Sequence, residues 1–260
     1  MKLHHYLIPL LGLACAQTTV VRGIEIKFEA TEGYSISGGT PFSNGNLGGQ
    51  PFKAGATKWY SSTTPGTDMV RVVKDARGQY LQTFDTQHEG GAFFRFLPSG
   101  DDLGDVFDPE SSVLAYSFNL RIDDEPFPHT RDTGVLVRPR FGEDTSGHPV
   151  TAFEFLDSGR FNYSDETKTI AAVAKDGTTF YAKKGVMFTV SGQIDYAANT
   201  YTLFVNGVQQ KTDAGSLAIP FKSTEGKTPN FSLRDLSDTG NKFRRVSFDD
   251  LKLELVRARK

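Results

Sequence analysis

Thiols are almost missing from this chain. Its 260 residues hold one Cys, which excludes a disulfide framework and any thiolate metal cluster. Net charge is nearly missing too. The 29 Lys and Arg stand against 31 Asp and Glu, a formal −2, so no bulk attraction draws the chain to nucleic acid or anionic lipid. Beyond the first residues, no apolar run approaches the about twenty residues that cross a bilayer, so no membrane span is expected. No window sustains a 3.6-residue period, so helices longer than one turn are not expected. Phosphate loops, dinucleotide fingerprints and Gly-x-Ser-x-Gly elbows are absent. His88, His129 and His148 are too scattered for a zinc site.

What the chain has is glycine and aromatics: Gly 26, Phe 21 and Tyr 9, against one Trp. That composition implies many turns and aromatic strands. The start is an address. A basic Met1 to His5 leads into the apolar run 6–16, and Ala14-Cys15-Ala16 ends it with the small-x-small pattern of a signal peptidase site. The expectation is a secretory signal over 1–16 and one soluble domain over 17–260, secreted or periplasmic. Cys15 as a lipidated N-terminus is the rival reading, but Gly12 stands where a lipobox wants Leu.

From Ile24 onward the dominant period is two. Ile24, Ile26 and Phe28 alternate with Glu25, Lys27 and Glu29, and the pattern returns around 69–73, 92–96, 113–122, 134–138, 150–155, 169–173, 186–190, 200–205 and 246–256. Short aromatic or β-branched runs bounded by Gly, Asp, Asn, Ser or Pro are strands. Asn206-Gly207 predicts a type I′ hairpin turn, which needs φ > 0 at both positions. The aromatics of 35–55 predict an ordered loop rather than a linker. The fold class expected is all-β: a two-sheet antiparallel β-sandwich or jelly roll.

Three stretches carry a resemblance. Phe28-Glu-Ala-Thr-Glu-Gly-Tyr34 with Asn46-Leu-Gly-Gly-Gln50 and Trp59 is similar to the opening of concanavalin A-like, LamG-type jelly rolls of secreted bacterial proteins. Phe188 to Asp195, followed by Asn199 to Gly207, resembles their paired strands, and Val246 to Leu255 their final strand. The resemblance implies that fold and a history of glycan binding or glycan cleavage, not an activity. It also implies a structural Ca²⁺ held by Glu29 or Glu32 with Asp249. The alternation itself sets Asp249 in register with Leu251, Leu253 and Leu255 on the core side, where a carboxylate needs a partner. A turn cap, or a pair with Arg244 or Arg245, is the other reading.

Catalytic patterns are fragmentary. The nearest approach to a glycosidase acid pair, Glu154 and Asp157, lies on opposite faces of an ideal strand. Gln87-His88 and Phe180-Tyr-Ala-Lys-Lys-Gly185 are fragments of an alginate-lyase-like pattern, so no catalytic residue is assigned. If the chain is an enzyme, a polysaccharide lyase is favoured over a hydrolase. The arginines are more coherent. Arg95, Asn119, Arg121, Arg138, Arg140 and Glu154 each oppose apolar neighbours, and would share one polar sheet face, with His88 nearby, if their strands are adjacent. Guanidinium forks suit carboxylates and sulfates. The expected partner is therefore a glycan, with an acidic polysaccharide as the finer reading. A solvated sheet face, or an adhesion domain with a protein partner, is the alternative.

Overall fold

The structure is a computed structural model, and it describes residues 18–36, 50, 60–62, 69–84, 93–96, 106–126, 134–142, 150–221, 227–229, 231–235 and 245–258. The strands are β1 (Thr18–Ile26), β2 (Tyr60–Ser62), β3 (Met69–Asp75), β4 (Gly78–Phe84), β5 (Phe93–Phe96) and β6 (Ser112–Ile122). Then come β7 (Val135–Phe141), β8 (Thr151–Leu156), β9 (Phe161–Ser164), β10 (Thr169–Ala171) and β11 (Phe188–Asp195). The last are β12 (Thr200–Val205), β13 (Val208–Gln209), β14 (Ile219–Pro220), β15 (Phe231–Asp235) and β16 (Val246–Ala258). One 3₁₀ turn, Ala30–Glu32, is the longest helical piece among the described residues.

These strands build two antiparallel sheets. One has nine strands, in the order β13-β12-β11-β6-β16-β4-β3, with β1 also on β16 and β14 on β12. The other has seven, in the order β10-β9-β8-β7-β15-β5-β2. The fold is a two-sheet antiparallel β-sandwich, as the period of two requires. β6 alternates buried and half-buried positions along most of its length, and its inward rings meet the other sheet. Phe118 stands 6.4 Å from both Phe141 and Phe153, 6.2 Å from Phe231 and 5.3 Å from Phe248. The abundance of Phe is thus the filling between the sheets, where each ring buries a large apolar area. The hairpin reading holds: Asn206 and Gly207 have φ 50° and 79°, and join β12 to β13.

β16 departs from simple alternation. Its neighbour on one edge changes from β4, last paired at Phe248, to β1, first paired at Leu251. At that changeover the register with β6 shifts between Asp249 and Lys252, and Asp250 takes φ 51°. An extra residue is accommodated there, in the manner of a β-bulge. Asp249 therefore pairs with Asn119 and shares its outer face, and does not lie with Leu251 on the core side. The expectation from strict alternation is corrected by that one inserted residue.

Candidate binding face

β7 reads Val135-Leu-Val-Arg-Pro-Arg-Phe141, and Val137 and Phe141 are fully buried in the core. Arg138 and Arg140 must then stand on the outer face. β15 repeats the pattern, with Phe231 and Leu233 buried inward and Ser232 and Arg234 at the alternate positions. The backbone register aligns these strands. Arg95 of β5 pairs with Ser232, Ser232 pairs with Arg140, and Arg140 pairs with Ala152 of β8. In the adjacent row, Arg234 pairs with Arg138, and Arg138 Nη2 meets Glu154 Oε1 at 2.7 Å. Rows two residues apart are about 7 Å apart and strands about 4.8 Å, so four arginine positions occupy a patch of about 10 by 7 Å. The chain as a whole is slightly acidic, yet four register positions of this patch are arginine.

Part of the face is covered. Ser232, Arg140 and Asn162 hold outward positions, yet keep only 2%, 8% and 4% of their exposure. Arg138 and Glu154 remain open to solvent, at 29% and 22% of their side chains. A shielded polar floor beside part-exposed charges strengthens electrostatic contacts to a bound anion, because fewer waters screen them.

Not every residue expected at one face is there. Asn119 and Arg121 lie on β6, in the nine-stranded sheet, so they look out from the opposite side of the sandwich. Alternation distinguishes inward from outward but not one sheet from the other. Both side chains have protein partners. Asn119 Nδ2 donates to Asp250 Oδ2 at 2.8 Å, and Thr189 Oγ1 donates to Asn119 Oδ1 at 2.8 Å. Arg121 pairs with Asp123, donates to Ser247 Oγ at 2.9 Å and lies 5.3 Å over the Tyr80 ring. Gln82 and Ser247 also donate to Asp123, at 2.6 and 2.7 Å. Burial nevertheless raises the Asp123 carboxyl, against the lowering effect of those two bonds. This network ties β4, β6 and β16 together.

Arg95, Arg138, Arg140 and Glu154 do share the seven-stranded sheet. His88 lies outside the described residues, as does Trp59. Arg234 was missed by sequence reasoning, although Phe231-Ser-Leu-Arg-Asp235 carries the same alternation as β7. Asn162, which opens an Asn-Tyr-Ser glycosylation pattern, lies inside β9 and is buried in the folded chain. Asp157 sits in the turn after β8, and Phe180 packs 5.0 Å from Phe188 in the core.

The acids expected to hold calcium are close together but already engaged. Glu32 accepts the amides of Lys27 and Glu29 at 2.9 and 3.1 Å, and Glu29 accepts that of Gln79 at 3.2 Å. Asp249 Oδ1 accepts the amide of Asp250 at 2.9 Å. Among the described residues no group of three or more His, Cys, Asp or Glu is arranged to hold a metal.

Their crowding has a measurable consequence. Burial pushes the Asp249 carboxyl up to about 7; the Asp250 amide pulls it back, and the charges of Asp250, Glu29 and Glu32 add to the rise. A carboxyl raised on folding stabilises fully below its unfolded pKa, and that stability is lost as pH rises through the folded value. Asp249→Asn is therefore expected to melt with wild type at about pH 4 and higher than wild type at about pH 8. The gain at the higher pH should be about 1 kcal/mol, discounted for solvent screening of a part-exposed group. Superimposable melting curves at both pH values would remove this account.

No family model and no curated protein sequence matches the chain. Solved structures do. A sialidase aligns with TM-score 0.51 at 13% identity, over 75% of this chain and 16% of that one. The binding domain of botulinum neurotoxin serotype G aligns with TM-score 0.46 at 11% identity, over 80% and 46%. Peanut lectin aligns with TM-score 0.42 at 12% identity, over 77% and 99%. The chain spans about a sixth of the sialidase and under half of the neurotoxin domain it matches. At 13% identity the likeness to the sialidase is one of fold alone.

Proposed function

We propose that this is an exported carbohydrate-binding sandwich that takes an acidic polysaccharide on the outer face of its seven-stranded sheet. The observation that carries the reading is the register that aligns the positions of Arg95, Arg234, Arg138 and Arg140 on one sheet face of a slightly acidic protein. Guanidinium groups take carboxylates through forked hydrogen bonds, and clustered arginine positions suit an anionic polymer. Export follows from the signal-like residues 1–16.

Binding of alginate, pectate, heparin and neutral dextran by the full chain tests this directly. The acidic polymers should bind and dextran should not, with affinity falling as salt rises. Arg138→Ala with Arg140→Ala should weaken acidic binding by roughly 100-fold, since hydrogen bonds to charged groups contribute about 1.5–3 kcal/mol each. Unchanged binding by the double variant sinks the proposal.

One observation favours a second reading. Tyr60 of β2 holds the register position opposite Arg95, and a tyrosine is a residue type suited to proton abstraction in a β-eliminating lyase. Growth of the ultraviolet absorbance of an unsaturated uronate on alginate or pectate distinguishes cleavage from binding alone.

A further inference from the structure

Glu154 is a carboxylate set among the arginine positions of this face. In its row β15 contributes Arg234, β7 Arg138 and β8 Glu154; in the next row Arg95 and Arg140 flank Ser232. Arginine positions thus collect on β5, β15 and β7, and Glu154 on β8 stands beside Arg138. Arg138 and Glu154 share a 2.7 Å contact while both still meet solvent. We infer that Glu154 is the specificity residue of this face, selecting a hydroxyl-rich polyuronate over a densely sulfated chain. This rests on the polysaccharide-binding reading above and narrows its ligand class.

The physical argument compares two patches. A plain arginine cluster binds polyanions by neutralising charge and releasing counterions, so the more highly charged polymer binds more tightly. A carboxylate set in the cluster reverses that order. It accepts hydrogen bonds and donates none, so it welcomes sugar hydroxyls and repels a sulfate at the same place. A polymer lying across the strands sets one unit over the arginines and a neighbouring unit over Glu154. A polyuronate satisfies both, with a carboxylate at Arg138 and Arg234 and free hydroxyls at Glu154. A chain esterified at most hydroxyls brings a second anion against Glu154, and like-charge juxtaposition is a means of rejecting wrong partners.

The test is titration of the full chain with alginate and with heparin at one ionic strength. Wild type should prefer alginate despite its lower charge density. Glu154→Gln, which keeps the shape and loses the charge, should tighten heparin binding roughly ten-fold while alginate stays within about two-fold. Glu154→Asp retains the charge and should retain the wild-type preference, which guards against a folding artefact. Equal gains for both polymers in Glu154→Gln, or no change in either, overturn the specificity role. If Arg138→Ala loses alginate while Glu154→Gln leaves the heparin ratio unmoved, the binding face stands and only the role of Glu154 falls. If Arg138→Ala binds alginate as wild type does, the face itself fails, and this inference with it.

Discussion

Gly192→Ala is expected to destabilise the sandwich by about 3–5 kcal/mol, combining overpacking with the loss of a buried hydrogen bond. Gly192 lies in β11, between the buried Val190 and Ile194 and opposite Tyr116 of β6. A β-carbon there would stand 1.9 Å from the carbonyl oxygen of Thr202 and 2.6 Å from the Tyr116 hydroxyl. The missing side chain is what lets the Tyr116 ring lie across β11 and donate to Thr202 O at 3.0 Å. The Gln193 amide meanwhile goes to Thr202 Oγ1 at 3.1 Å. Burial raises the Tyr116 hydroxyl well above the usual tyrosine range, so this phenol stays neutral and keeps its proton for that bond. A methyl group cannot be relieved by a rotamer change, because the nearer clash is with backbone. Denaturant melts should show a lower midpoint for Gly192→Ala and little rescue on adding Tyr116→Phe. Strong rescue would mean that the hydroxyl, not the carbonyl, sets the limit.

Phe118→Ala should cost a similar amount, about 3–5 kcal/mol, from lost burial and a residual cavity. The ring is fully buried, and the rings of Phe141, Phe153, Phe231 and Phe248 surround it from four other strands. Three of those strands belong to the seven-stranded sheet and one to the nine-stranded sheet. Its removal therefore opens the interface between the sheets rather than one strand pair. Phe118→Leu should lose only about 1–1.5 kcal/mol, since volume is largely conserved. Against a total stability of about 5–15 kcal/mol, the alanine variant approaches unfolding. A midpoint shift at unchanged m-value is the expected signature. Tyr116 and Phe118 share a face of β6, so Gly192→Ala and Phe118→Ala should not add.

Several elements could be read from the chain and others could not. β6, β8 and β12 stand where alternation sets them, and the Asn206-Gly207 turn has the φ values its type demands. β9 alternates too, as Phe161-Asn-Tyr-Ser164, but four residues are too few for the period to stand out from the surrounding turns. β15 is five residues long, too short for the pattern to stand out, although it supplies Arg234. At the candidate site, Arg138, Arg140 and Glu154 were legible as outward charges. Arg121 looked equivalent to them, and its true surroundings, Asp123, Ser247 and Tyr80, come from β4, β16 and the end of β6.

By itself the sequence determined which side chains look inward along uninterrupted strands, where the chain turns, and that two apolar sheet faces must meet. Each of these follows from the two-residue repeat of an extended backbone, a local property. Only the tertiary structure decided which strands are neighbours, that Arg138 stands between Arg234 and Glu154, and that one inserted residue turns Asp249 outward. Those depend on pairing between segments far apart in the chain, and the same alternation is compatible with many such pairings.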